Sequence, residues 1–187
     1  MNKWIVSIGV ILFSLCMTLQ GVEERRFAEP VKPMAFDQKK TYLATIYTSK
    51  GEIVCELYPD KAPLSVTNFI QLAEGGYYDG LSFHSVIRNF VIQSGDPEGT
   101  GNGGPGYTLP PEIGLKHHKG ALGWAHPLGY QNLDGRSSGS QFYITEEEMP
   151  HLDKDFTVFG QTIKGQDVVE RIELGDVIKK IEITISK

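Results

Sequence analysis

Apolar and polar residues alternate over residues 42–48 and again over 52–57, on either side of Ser49-Lys50-Gly51. A period of two interrupted by a small turn-forming triplet predicts a β-hairpin. Tyr58-Pro59-Asp60-Lys61-Ala62-Pro63 then punctuates the chain. Beyond it Val66, Phe69, Ile70 and Ala73 recur at helical spacing, so a helix is expected with that stripe on the core. Gly75-Gly76 ends it, because glycine tolerates the left-handed conformation of a helix stop. Short strands follow at 82–86 and 90–94, then a glycine-rich loop over 95–106. Further strands are expected at 120–125 and 141–145, flanking a polar segment at 126–140, and at 156–161. A short helix at 166–173 sets Val168, Val169 and Ile172 on one side. Ile181, Ile183 and Ile185 alternate with Glu182, Thr184 and Ser186 in a closing strand. Two helices among many short strands predict a closed antiparallel barrel with plugged ends.

The first residues do not fit this pattern. Residues 1–21 carry Lys3 and then an apolar run from Trp4 to Leu19, as an export signal does. The run is short for a membrane span, which takes about 20 apolar residues. Cleaved export, a lipid anchor at Cys16 and a retained anchor are the three alternatives. Each places the folded part outside the cytoplasm, in the periplasm or cell envelope. Residues 22–40 are charged, contain Pro30 and Pro33, show no period and read as a linker. Residues 41–187 form the single folded domain.

Composition narrows the function. The chain of 187 residues has a formal net charge of -5 and no Lys/Arg cluster, which argues against nucleic acid as a partner. Cys16 and Cys55 are its two cysteines; Cys55 alternates with Ile53 and Leu57 and reads as a small core residue. His117-His118-Lys119 has neighbouring histidines that diverge in extended chain and no cysteine or carboxylate set beside it, so it reads as a surface loop and no metal is expected. Glu146-Glu147-Glu148 reads as a solvated acidic turn. The glycines of 99–106 lack the Gly-Lys-Ser/Thr of a phosphate loop, so no nucleotide cofactor is expected.

The chemistry concentrates in Phe83-His84-Ser85-Val86-Ile87-Arg88-Asn89-Phe90-Val91-Ile92-Gln93-Ser94-Gly95-Asp96-Pro97. This stretch resembles the active-site strand pair of the cyclophilins, which are peptidyl-prolyl cis-trans isomerases. Other blocks resemble the same family in the same order: Thr48-Ser49-Lys50-Gly51, Gly120-Ala121-Leu122-Gly123-Trp124-Ala125, Ser138-Gly139-Ser140-Gln141-Phe142-Tyr143-Ile144 and Phe156-Thr157-Val158-Phe159-Gly160. The resemblance covers about residues 42–185. It implies a mainly β fold, a closed eight-stranded antiparallel β-barrel capped by two α-helices. It implies proline-containing polypeptides as partners, no cofactor, a monomer, and a cyclosporin-type compound as a further ligand.

The resemblance also distributes roles. His84, Ser85, Phe90 and Gln93 occupy the positions of the catalytic group. Phe90, Val91, Tyr143 and Leu152 would line a proline pocket. Ala125 and His126 would pair with the substrate backbone, Gln141 would sit beside the groove, and Phe156 would complete the substrate-binding set. Two departures matter: Ser85 stands where the family places its arginine, and Arg88 where it places a proline. Serine is neutral and several ångströms shorter, so it cannot put charge over a prolyl nitrogen. Arg88 could substitute from the turn between the two strands, or be a solvated turn residue. His84 could orient a substrate carbonyl or be a hydrogen-bonded structural residue. The expectation is a prolyl isomerase of exported proteins with reduced turnover. The alternatives are a proline-segment binding module and, more remotely, a ligand-carrying barrel of the lipocalin kind.

Overall fold

The computed structural model describes residues 27–127 and 132–186. The expected export segment and the lipid-anchor candidate Cys16 lie outside them. The hairpin forms as β1 (Thr41–Thr48) and β2 (Gly51–Leu57), with Ala44 opposite Cys55 and Ile46 opposite Ile53, all four buried. The helix α1 runs Pro63–Glu74, and Val66, Phe69, Ile70 and Ala73 are buried. Its first free N–H groups are capped from a distance, since the Glu112 carboxylate accepts Leu64 N–H at 3.0 Å and Ser65 N–H at 2.8 Å. Of the two glycines at its end only Gly76 is left-handed (φ 73°). Gly75 serves another purpose: a Cβ there would lie 2.4 Å from the Phe27 ring.

The site-bearing strands are β3 (Ser85–Ile87), β4 (Val91–Ser94), β6 (Ala121–Trp124) and β8 (Phe142–Thr145). Between them β5 (Thr108–Leu109) and β7 (Ser137–Ser138) form a separate two-stranded sheet that the pattern did not suggest. The chain ends with β9 (Val158–Lys164), α2 (Gln166–Val169) and β10 (Ile178–Ser186). The main sheet has the order β10-β1-β2-β9-β6-β8-β4-β3, every pair antiparallel.

This corrects the expectation of a closed barrel. The sheet curls but stays open, with β10 and β3 as its unpaired edges. The chain after α2 occupies the gap instead. Ser82 bridges Val177, Phe83 N–H donates to the Asp176 carbonyl at 2.8 Å, and Gly175 N–H donates to the Phe83 carbonyl at 3.0 Å. The concave face holds the core, where Phe69 packs against Tyr78, Phe142, Phe159 and Trp124. Trp124 stacks on Phe159 with centroids 4.4 Å apart.

Residues 27–40 have no helix or strand, as the missing period predicts, but they lie on the fold. Phe27 meets Tyr77 edge-on at 5.1 Å, Phe36 meets Tyr42 at 5.1 Å, and Met34 N–H donates to the Thr67 hydroxyl at 2.9 Å. This part of the expected linker is a strap across α1 and β1.

Candidate active site

Successive residues of a strand face opposite sides of the sheet. Phe142 and Ile144 therefore enter the core, while Tyr143 joins Val91 and Ala125 in a second apolar cluster with Phe90 and Phe156. Register then lines up one row across four strands. Ser85 lies opposite Gln93, Gln93 opposite Tyr143, and Tyr143 opposite Gly123. Directly opposed residues on one face are in side-chain reach. The candidate site is this row together with the loops that wall it.

A cavity of about 470 Å³ covers the row. Its polar end holds His84, Ser85 and Gln93, with Thr100 and Gly101 from the glycine-rich loop. Its apolar walls are Phe90, Val91, Ala125, Tyr143, Leu152 and Phe156, and His126 closes the far side. The size suits a few residues of bound chain. No lysine or arginine lines it among the described residues.

Gln141 is the one expected site residue outside this cavity. It is buried and works behind the wall. Its amide nitrogen donates to the Gly101 and Gly103 carbonyls at 3.0 and 2.8 Å, and its amide oxygen accepts from Gln93 Nε2 at 2.9 Å. Gln93 Nε2 lies 3.5 Å from His84 Nε2, and His84 Nδ1 is buried without a partner. Asp96 holds the same loop from within, accepting from Glu98, Thr100 and Gly101 N–H groups. Burial opposes its charge, but these backbone donors outweigh it and hold the carboxyl below its ordinary range.

Three expectations change, and the alternatives left open for Arg88 are decided. Ala125 cannot pair its N–H with a substrate, because that group donates to the Gln141 carbonyl at 2.9 Å; its carbonyl accepts from Ser138 at 2.7 Å. It contributes a methyl wall. Arg88 does not rescue the site; it is a turn residue with its side chain 46% exposed. It is held against Glu146 at 2.9 Å and donates to the Glu170 and Ile172 carbonyls at 2.9 and 2.6 Å, turned away from Ser85's cavity. Glu146 is correspondingly buried, not solvated; it also accepts Asn89 N–H at 2.6 Å, while Glu147 and Glu148 are exposed.

His117 is the largest miss. It is buried, not part of a surface loop, although His118 is exposed. Its Nδ1 lies 2.9 Å from Asp153 Oδ1 and its Nε2 lies 2.7 Å from the Tyr143 hydroxyl. A signal existed: a tyrosine in an apolar wall needs a partner for its hydroxyl. Burial lowers the His117 pKa, against the opposing pull of Asp153. His126 stacks on Phe156 at 4.0 Å and donates Nε2–H to the Asp155 carbonyl at 2.9 Å; burial lowers its pKa also. Both imidazoles are therefore neutral at neutral pH.

The molecule is an open antiparallel half-barrel with two helices, carrying an apolar pocket with amide and imidazole groups at its rim. The family model for cyclophilin type peptidyl-prolyl cis-trans isomerases matches residues 43–187, and the chain belongs to that family. It is 40% identical over 167 residues to a Helicobacter pylori peptidyl-prolyl cis-trans isomerase, covering 84% of this chain and 98% of that one. It is 45% identical over 136 residues to peptidyl-prolyl cis-trans isomerase B of Bacillus subtilis, covering 71% and 91%. Among solved structures it resembles a Cryptosporidium parvum cyclophilin type isomerase, at a TM-score of 0.70 and 32% identity over 79% of this chain and 99% of that one. The same protein in the presence of the dipeptide Ala-Pro matches at 0.68 and 33%, over 78% and 99%.

Proposed function

We propose that this isomerase acts on Xaa-Pro bonds of exported polypeptides and that Ser85 limits its turnover. Rotation about a peptide C–N bond has a barrier of about 18–20 kcal/mol, and prolyl bonds exchange over tens to hundreds of seconds. A catalyst must hold the proline ring, leave the preceding segment free to turn, and stabilise the twisted amide, whose nitrogen becomes pyramidal and basic. Phe90, Val91, Tyr143 and Leu152 offer the apolar pocket for the ring. The relative studied with Ala-Pro supports proline peptides as the ligand class.

The observation that carries the reading is the cavity's polar end. Ser85 and Gln93 sit side by side there with no lysine or arginine among the lining residues, and Arg88 is engaged elsewhere. Beside the His84 imidazole, the side-chain donors at that end are the Ser85 and Thr100 hydroxyls and the Gln93 amide, none of which carries a charge. Removing one preorganised donor typically lowers a rate by about 10²–10³-fold. Ser85→Arg is therefore expected to raise kcat/KM on an Ala-Pro peptide by about 10²-fold. An unchanged kcat/KM in the folded variant would remove Ser85 as the limiting feature.

The same cavity supports a second reading, a proline-segment binding module, because its apolar walls do not depend on Ser85. Export rests on the pattern of residues 1–21, with the periplasm or cell envelope as the destination and Cys16 as a candidate lipid anchor. Action as a monomer and binding of a cyclosporin-type compound complete the proposal. His151, which stacks on Phe90 at 6.0 Å, borders the surface such a compound would cover.

A further inference from the structure

We propose that His117 is a positioning residue of the isomerase site, fixing Tyr143 and Leu152 as two walls of the proline pocket through an Asp153–His117–Tyr143 chain. The proposal rests on the reading of the cavity as the proline site.

With the His117 ring neutral, the hydrogen bonds allow one arrangement. An ionised carboxylate only accepts, so His117 Nδ1 carries the proton toward Asp153 at 2.9 Å. Neutral Nε2 is then an acceptor, and the Tyr143 hydroxyl donates to it at 2.7 Å. The surroundings keep each group in the state this requires. Burial favours neutral His117 and pushes the Tyr143 phenol up, while His117 holds the Asp153 carboxyl down. The phenol proton is thereby committed behind the wall, and a bound proline meets only the ring.

Two further features point the same way. Gly123 pairs with Tyr143, and a Cβ there would fall 2.7 Å from the phenol oxygen, so the absent side chain makes room for the hydroxyl to reach His117. His117 also binds the turn that carries Leu152 through its backbone. Its N–H donates to Asp153 Oδ1 at 2.7 Å and its carbonyl accepts from Met149 N–H at 2.8 Å. One buried residue thus joins two pocket walls from separate elements.

The test uses the full chain, an Ala-Pro peptide, and the variants His117→Phe, Tyr143→Phe and both together. His117→Phe fills the space without an acceptor. Loss of one such hydrogen bond is expected to raise peptide Kd and KM about three- to tenfold, with kcat moving less than about twofold. Tyr143→Phe should act similarly, and the double variant should be no worse than the more affected single variant. His117→Gln, which keeps a donor and an acceptor, should recover most of the affinity.

A second measurement needs no substitution at His117. In the native chain peptide affinity should fall as pH drops below the ordinary histidine value, because an imidazolium donates to the phenol oxygen and releases the phenol proton from behind the wall. Tyr143→Phe should lack that part of the dependence. Asp153 and Tyr143 contact His117, His151 faces it electrostatically, and Lys116 faces Asp153. His84 and His126, on the same pocket, are present in both proteins, so the difference between the two is the readout. Unchanged Kd in folded His117→Phe, multiplying effects in the double variant, or equal pH dependence in native and Tyr143→Phe chains would overturn the proposal. No binding of any proline peptide by the native chain would instead overturn the proline-site reading, and this proposal with it.

Discussion

Gln141 does not itself line the candidate cavity, yet its amide holds two residues of the cavity's polar edge. It joins the Gly101 and Gly103 carbonyls to Gln93, which sits opposite Ser85. Gln141→Ala would leave buried groups unpaired, each worth about 1–3 kcal/mol. Faster amide hydrogen exchange over residues 98–103 and weaker binding of an Ala-Pro peptide are expected, and unchanged exchange would refute the coupling. At this scale the sequence motifs showed which residues gather but not how they are bonded. Phe90, Val91, Tyr143 and Leu152 were legible as walls because motif order carries them. His117 was not, because its partners are 26 and 36 positions away and an exposed histidine follows it. Glu146 was hidden in the same way, as the buried member of a run of three glutamates.

The element that decides the site's shape is the turn between β3 and β4. Arg88 and Asn89 form it, and Asn89 adopts φ 59°, a left-handed conformation that asparagine tolerates better than most residues. Buried Glu146, just after β8, accepts from both, while Arg88 also grips carbonyls beyond α2. The turn is thus tied to two elements that the local sequence does not mention. Glu146→Ala is expected to lower stability by about 1–3 kcal/mol, read from chemical denaturation, and to mobilise Phe90. Stability within about 0.5 kcal/mol of native, the range of ordinary surface changes, would show the clasp to be incidental. Hairpin and helix were legible from periodicity alone. The strap at 27–40 was half legible: lack of period gave irregular backbone, but nothing local says that Phe27 fits over Gly75.

For the molecule as a whole, alternation tells which face of a strand is buried and is silent on whether a sheet closes. The eight strands of the main sheet end in open edges because the chain after α2 fills the gap between β3 and β10. Stability should carry the mark of buried His117 and half-buried His126. The folded pKa values of His117 and His126 lie below the ordinary 6.5, so the unfolded chain binds more protons in that window. Stability is then full above about pH 6.5 and falls as pH drops toward the folded values. Asp96 and Asp153, held below their ordinary range, add a further loss at lower pH with the same sign. Denaturation midpoints that stay flat between about pH 7 and 5 would contradict this. The central claim is an isomerase whose proline pocket is intact and whose turnover is limited by Ser85. Exchange NMR on an Ala-Pro peptide with the chain lacking residues 1–21 tests it most directly, since one sample reports both binding and cis–trans exchange. Shift changes with accelerated exchange, further increased by Ser85→Arg, are the predicted result. Shift changes with no acceleration in the native chain would contradict it and leave a proline-segment binding protein.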